Sequence, residues 1–231
     1  MTQLTRRLIR GVFVTSALAM WLSSAQAINI DFAAITGGQI KFVGSGNTFS
    51  FQPGSGNQFQ ITGSDGIGDS EGLYGRMNGA FTIGSITTIG PVQTAPVTGS
   101  GLLIINDGSG YNLTGNLMWD SISTFGPGGT INVNGVLNLS SLTYVGGTSP
   151  VGDLVALAAF PHTGSEVVSF QFASPKSLTQ LTEDTKIFVS SFSGSFSKET
   201  VAASLVPDAG STLALFGLSL TGLWVFRRKK A

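Results

Sequence analysis

The body of this chain, residues 28–205, is predicted to be all-β, a single β-sandwich or jelly-roll-like domain between a cleavable leader and a membrane-length tail. Three observations predict that class. Apolar residues recur at every second position in several runs, as a half-buried antiparallel strand requires, because successive side chains point to opposite faces. Clusters of Gly, Asn, Asp, Ser and Pro separate those runs and supply the positive φ and preset φ of tight turns. Apolar spacing of three and four, the mark of an amphipathic helix, is scarce.

The leader is residues 1–27. Arg6, Arg7 and Arg10 precede an apolar run of eleven residues from Val12 to Leu22, and small residues follow at Ala25 and Ala27. A basic region, a short apolar region and small residues at the cut form a secretory signal, so cleavage after Ala27 is expected. That places the Sec translocon and signal peptidase among the partners. As an uncleaved anchor the run is too short, because eleven helical residues rise only about 16 Å.

Composition narrows what the exported body does. Between Ile28 and Val206 there are five basic residues, Lys41, Arg76, Lys176, Lys186 and Lys198, against eleven acids, a net charge of −6. A body of that sign has no electrostatic footprint for nucleic acid and is not drawn to an anionic lipid surface. Charged residues make up 10% of the chain, less than half the roughly 25% of an ordinary domain. Ser, Thr, Asn and Gln must therefore make the wettable faces. With no cysteine, export brings neither disulfides nor thiolate chemistry.

Along the body, "GSGNTFSF" at 44 and "GSGNQFQI" at 54 repeat at a ten-residue offset and read as adjacent hairpin elements. "GAFTIGSITTI" alternates through Phe81 and Ile83 and, after a Gly-Ser break, Ile86 and Ile89. "TINVNGVLNLSSLTY" alternates from Ile131 and Val133, "EVVSFQFA" through Val168, Phe170 and Phe172, and "KIFVSSFSGSFS" through Phe188, Phe192 and Phe196. The apolar run before His162 reads as another strand, with Pro161 and His162 in the turn at its end. In "SPKSLTQLTEDTK", Leu178 and Leu181 fit one helical turn or a polar crossover.

Catalytic chemistry finds little footing. His162 is the one histidine, it reads as a solvated turn residue, and no G-x-S-x-G elbow appears between a strand and a helix. Asp65, Asp69 and Glu71 cluster on a glycine-rich loop that can wrap a hard cation, but they lack the density of a D-x-D-x-D-G site, and a solvated turn is the simpler reading. Asp107, Asp120, Asp153 and Glu166 offer no linear sign of a paired-acid cleft. Trp119 and Tyr111 can present rings to a carbohydrate, although aromatic residues in strands usually pack inward. No catalytic residue, cofactor or metal is assigned, and the chain is not expected to be an enzyme.

The tail, residues 206–231, begins Val206-Pro207-Asp208-Ala209-Gly210-Ser211-Thr212. Residues 209–226 carry no charge and Arg227, Arg228, Lys229 and Lys230 follow them. Eighteen helical residues span about 27 Å, close to the hydrocarbon thickness. The four cations are expected to stay cytoplasmic, which leaves the body on the export side, as the leader also requires. Pro207 disfavours helix at the residue before it, so the motif is expected to be extended and open to a protease.

This order of motif, apolar stretch and basic cluster resembles the PEP-CTERM class of protein-sorting signals, in the VPD-x-GST variant, with Ala209 where serine is frequent. The resemblance covers about 26 residues. It implies recognition of Val206, Pro207, Asp208, Gly210 and Ser211 by an exosortase, a membrane-embedded cysteine protease or transpeptidase. It also implies a role at the bacterial surface or in exopolysaccharide-associated material, usually without enzymatic activity. The alternatives are a permanently anchored single-span surface protein, and a secreted carbohydrate-binding protein or glycan-active enzyme.

Overall fold

The computed structural model describes residues 27–125, 131–159 and 161–198. The first 26 residues of the leader and all of the tail lie outside this set, so the expected cut at Ala25 and Ala27 is described only at Ala27. In chain order the elements are β1 (Ile28–Ala34), β2 (Gln39–Val43), β3 (Thr48–Gln52), β4 (Phe59–Ser64), β5 (Tyr74–Ile83), β6 (Thr87–Ile89) and β7 (Val92–Thr98). There follow β8 (Ser100–Asn106), β9 (Asn112–Phe125), β10 (Ile131–Tyr144), α1 (Gly152–Ala158), β11 (Gly164–Gln171), α2 (Leu178–Leu181) and β12 (Ile187–Lys198). The expected all-β class is the one adopted.

Every ladder is antiparallel, and together they return to their start. At one level β1 pairs with β12, and the path runs on through β11, β10, β9, β8, β5 and β4 back to β1. At the other level β2 and β3 take the places of β1 and β4, and β7 that of β8. The long strands β5, β9, β10, β11 and β12 run through both circuits, so the sheet is continuous and closed. Closure pairs the backbone groups that an open edge would expose. Short β6 hangs on β7 alone.

The inward face holds the alternating residues. Phe81, Ile83, Val168, Phe170, Phe192 and Phe196 are all buried, and Phe172 and Phe188 pack against that core half-buried. Ile89 departs from expectation and is 75% exposed, because β6 lies outside both circuits and has no inner face. In β10 the phase changes: Leu137 and Leu139 are buried, and then Leu142. Ser141, at φ 52°, lies where the ladder to β9 shifts register, and such a bulge turns the next side chain to the other face.

Aromatic rings knit the interior. Phe32 stacks on Phe196 at 4.5 Å and lies 4.9 Å from Phe59, joining three neighbouring strands. Trp119 meets Phe49 edge-on at 4.8 Å and stacks on Phe170 at 5.9 Å, which links β9 to β3 and β11 across the core. Each such pair contributes about 0.5–1.5 kcal/mol beyond its buried area. Gly135 on β10 is the space this requires, because a Cβ there would overlap the Trp119 ring.

The two GSGN copies do different work. The first closes the β2–β3 hairpin, with Gly46 and Asn47 at φ 87° and 53°, conformations that Gly and Asn tolerate. The second joins β3 to β4, which do not pair with each other; each pairs instead with β5. The apolar run expected as a strand before His162 is α1. Leu154, Leu157 and Ala158, spaced three and four apart, turn inward together, a period that fits a helix and not a strand. The helical turn at Leu178 and Leu181 is present, with both leucines buried and Ser177 and Gln180 forming a capping box that satisfies two free amides.

Candidate functional site

The acidic loop between β4 and β5 is locked to the start of α1. Asp69 accepts hydrogen bonds from the amides of Gly152, at 2.5 Å, and Asp153, at 3.0 Å. Asp153 reciprocates, accepting from the Ile67 amide at 2.8 Å and from the Ser70 hydroxyl at 2.8 Å and amide at 3.3 Å. Asp65 accepts from the Asn29 amide at 2.6 Å. These carboxylates are committed to backbone donors, so the loop is a structural clamp where a solvated turn was expected. Among the described residues no group of three or more His, Cys, Asp or Glu side chains is placed to hold a metal ion.

Asp107 is held in the same way. It accepts from the amides of Ser109 at 2.8 Å and Tyr111 at 3.0 Å, and from the Tyr144 hydroxyl at 3.0 Å; the Tyr144 oxygen in turn accepts from the Val151 amide at 3.1 Å. Burial by itself raises the Asp107 pKa, but these donors outweigh it and leave the carboxyl below its usual range. Asp153 behaves alike: burial raises its pKa, and the donors from Ser70 and Ile67 among others lower it further than burial raises it. Burial pushes the Tyr144 phenol up, helped by the nearby charge of Asp107. One network therefore joins the β8–β9 turn, the β10–α1 connection and the β4–β5 loop.

His162 has an exposed ring and a structural post. Its Nδ1 lies 2.7 Å from the Ala158 carbonyl and 3.1 Å from that of Leu142, and two carbonyl acceptors require Nδ1 to carry the proton. Lys198 is buried and donates from Nζ to the carbonyls of Leu157, at 3.2 Å, and Ala159. It thereby caps the open carbonyls at the end of α1, a favourable place for a cation; burial lowers its pKa.

Glu166 is the exception among the acids. It points into the core from β11, opposite Leu137 and Phe196, is 0% exposed, and neither carboxylate oxygen has a hydrogen-bond partner. Burial raises its pKa well above the ordinary carboxyl range. The residue shares its face with Val168 and Phe170, which is why alternation alone carried it inward.

The two aromatic residues considered for carbohydrate separate. Trp119 is 4% exposed and belongs to the core, whereas Tyr111 is 45% exposed on the β8–β9 turn. Near that turn a groove of about 430 Å³ is lined by Asn57, Gly72, Leu73, Tyr74, Asn106 and Gly108. Its Asn106 amide is already engaged with Asn112 and the Gly108 amide.

A larger feature is the outer face of β8–β12. Those strands carry three charged residues, Asp120, Glu166 and Lys198, and the last two are buried. Register aligns the outward side chains in rows across the strands: Ser193, Ser169, Asn134, Ser123 and Thr94 form one. Two residues further along, Val167 lies opposite Val136, 43% and 42% exposed. Beyond them Ser165 faces Asn138. The alternation of serine and asparagine with apolar residues encoded this face, but only the register shows which side chains meet: like pairs with like between β10 and β11, whereas Val136 meets Ser121 and Asn138 meets Met118 on β9, and Val167 meets Ser195 on β12.

The expected sorting residues Val206, Pro207, Asp208, Gly210 and Ser211, the cations Arg227, Arg228, Lys229 and Lys230, and the span 209–226 lie outside the described residues. Among the described residues no helix is long and apolar enough to cross a membrane. No curated protein and no solved structure matches the chain. Residues 206–230 match the family model for the VPDSG-CTERM motif, a C-terminal sorting signal of the PEP-CTERM type, which marks an exported, envelope-associated protein handled by a sorting machinery.

Proposed function

We propose that this chain passes the inner membrane through the Sec translocon, loses residues 1–27 to signal peptidase, and has its tail cut by an exosortase in the VPD-x-GST manner. The product is a structural, exopolysaccharide-associated component of the cell envelope or extracellular matrix, not an enzyme. The observation that carries this reading is the match over residues 206–230. The body supports it from the other side: Asp65, Asp69, Asp107 and Asp153 are spent on backbone donors. A continuous, closed sheet around one aromatic core suits a durable scaffold without cysteine.

The test is the mass of the mature protein in wild-type cells and in cells lacking the exosortase. Loss of the terminal basic cluster in the first and its retention in the second supports the reading. Retention in both makes the chain a permanently anchored single-span protein instead. Replacing Pro207 and Asp208 together by alanine is expected to leave export intact and to trap a full-length, membrane-bound form.

A further inference from the structure

We infer that the outer face of the β10–β11 pair is a docking surface for a neutral, hydroxyl-rich polysaccharide. The inference rests on the matrix reading above and gives it a place on the molecule. The centre of the face is the Val167–Val136 pair, flanked by the Ser169–Asn134 pair on one side and Ser165–Asn138 on the other. Neighbouring rows are about 7 Å apart along the strands, and side chains within a row about 4.8 Å apart. A pyranose ring presents C–H groups on its faces and hydroxyls around its rim. An apolar step between two rows of hydroxyl and amide groups complements that pattern at the scale of a single ring.

Two further observations select the occupant. The hydroxyl of Ser169 donates to Asn134 at 2.9 Å, which leaves the Asn134 amide donors facing outward; the side chains of Ser165 and Asn138 have no hydrogen bond within the protein among the described residues. The face therefore offers unused donors and acceptors, the complement of a polyhydroxyl chain. Its charge balance chooses between glycans. No cation stands on these strands except buried Lys198, and the body carries −6 overall, so a polyanion gains no partner and meets net repulsion. A neutral chain pays no such cost.

The experiment uses mature protein recovered from cells and affinity electrophoresis through gels containing hydroxyethyl cellulose, dextran or galactomannan, with alginate as the anionic counterpart. Retardation by at least one neutral polymer and not by alginate is expected. The variant Asn138→Glu puts a single charge on an exposed outward position, without the like-charge pair that a second glutamate at the facing Ser165 would create, and is expected to weaken that retention at least about tenfold, with an unchanged thermal midpoint. A second variant, Val167→Lys, tests the apolar step by the same readout. Free migration in all three neutral gels, equal retardation by alginate, or undiminished retention of both variants overturns the inference. Each of those results leaves processing at Val206–Asp208 intact, whereas failure of the Pro207, Asp208 double variant to be trapped sinks the sorting reading whatever the gels show.

Discussion

Glu166 shows how one residue can run against its surroundings. A carboxyl without a hydrogen-bond partner in an apolar core costs about 1–3 kcal/mol even when protonated, and more when ionised. Because its folded pKa is raised, its proton-linked stability is fully present below the unfolded value of about 4.3. That stability is lost as pH rises through the folded value. Glu166→Leu is therefore expected to raise the melting temperature at pH 7 and to flatten the alkaline side of the stability profile, measured by calorimetry across pH. Asp107 and Asp153 have the opposite sign: their pKa values are lowered, so their contribution is present above the unfolded value of about 3.9 and fades as pH falls through the folded one. The sequence displays Glu166 as one more acid among several. Its partnerless burial is set by strands far apart in the chain and cannot be read from its neighbours.

At the scale of elements, the clamp between the β4–β5 loop and α1 joins segments more than eighty residues apart. Asp153→Ala removes the acceptor for three donors from Ile67 and Ser70 and leaves buried groups unpaired, at about 1–3 kcal/mol each. Its expected signature is a lower denaturation midpoint with early proteolytic nicking in residues 63–72. Ser177→Ala, which dismantles the α2 capping box, is expected to cost about 1 kcal/mol and to leave the loop intact in the same assay. These elements were unequally legible. The period of two in "EVVSFQFA" and "KIFVSSFSGSFS" located β11 and β12 because one face of each is buried. The apolar run before His162 reads as strand because it is apolar almost throughout, and its helical period shows only through Leu154, Leu157 and Ala158. Asp69 and Asp153 gave no local sign of their reciprocal bonds, since nothing in either segment names the other.

For the whole molecule, the outward rows and the closed circuit follow from register, a property of pairs of strands that no single strand carries. Composition did foretell a nearly uncharged exterior, and the tail stated its class in a few residues. Closure itself rests on the ladder between Ile28–Ala33 and Ser193–Lys198. A chain ending at residue 186 lacks β12 and takes one of two neighbours from each of β1, β2 and β11, which reopens the sheet. It is expected to show no protected amides in native-state hydrogen exchange.

That ladder also imposes a timetable. The first strand of the body is held by its twelfth, at a sequence separation of some 165 residues, and distant pairings of this kind are slow to form. Until the serines of β12 pair, the phenylalanines of the earlier strands have no complete interior to enter. The closing ladder is therefore expected to be the slow step of folding, and the earlier strands stay open to solvent and to one another until it forms.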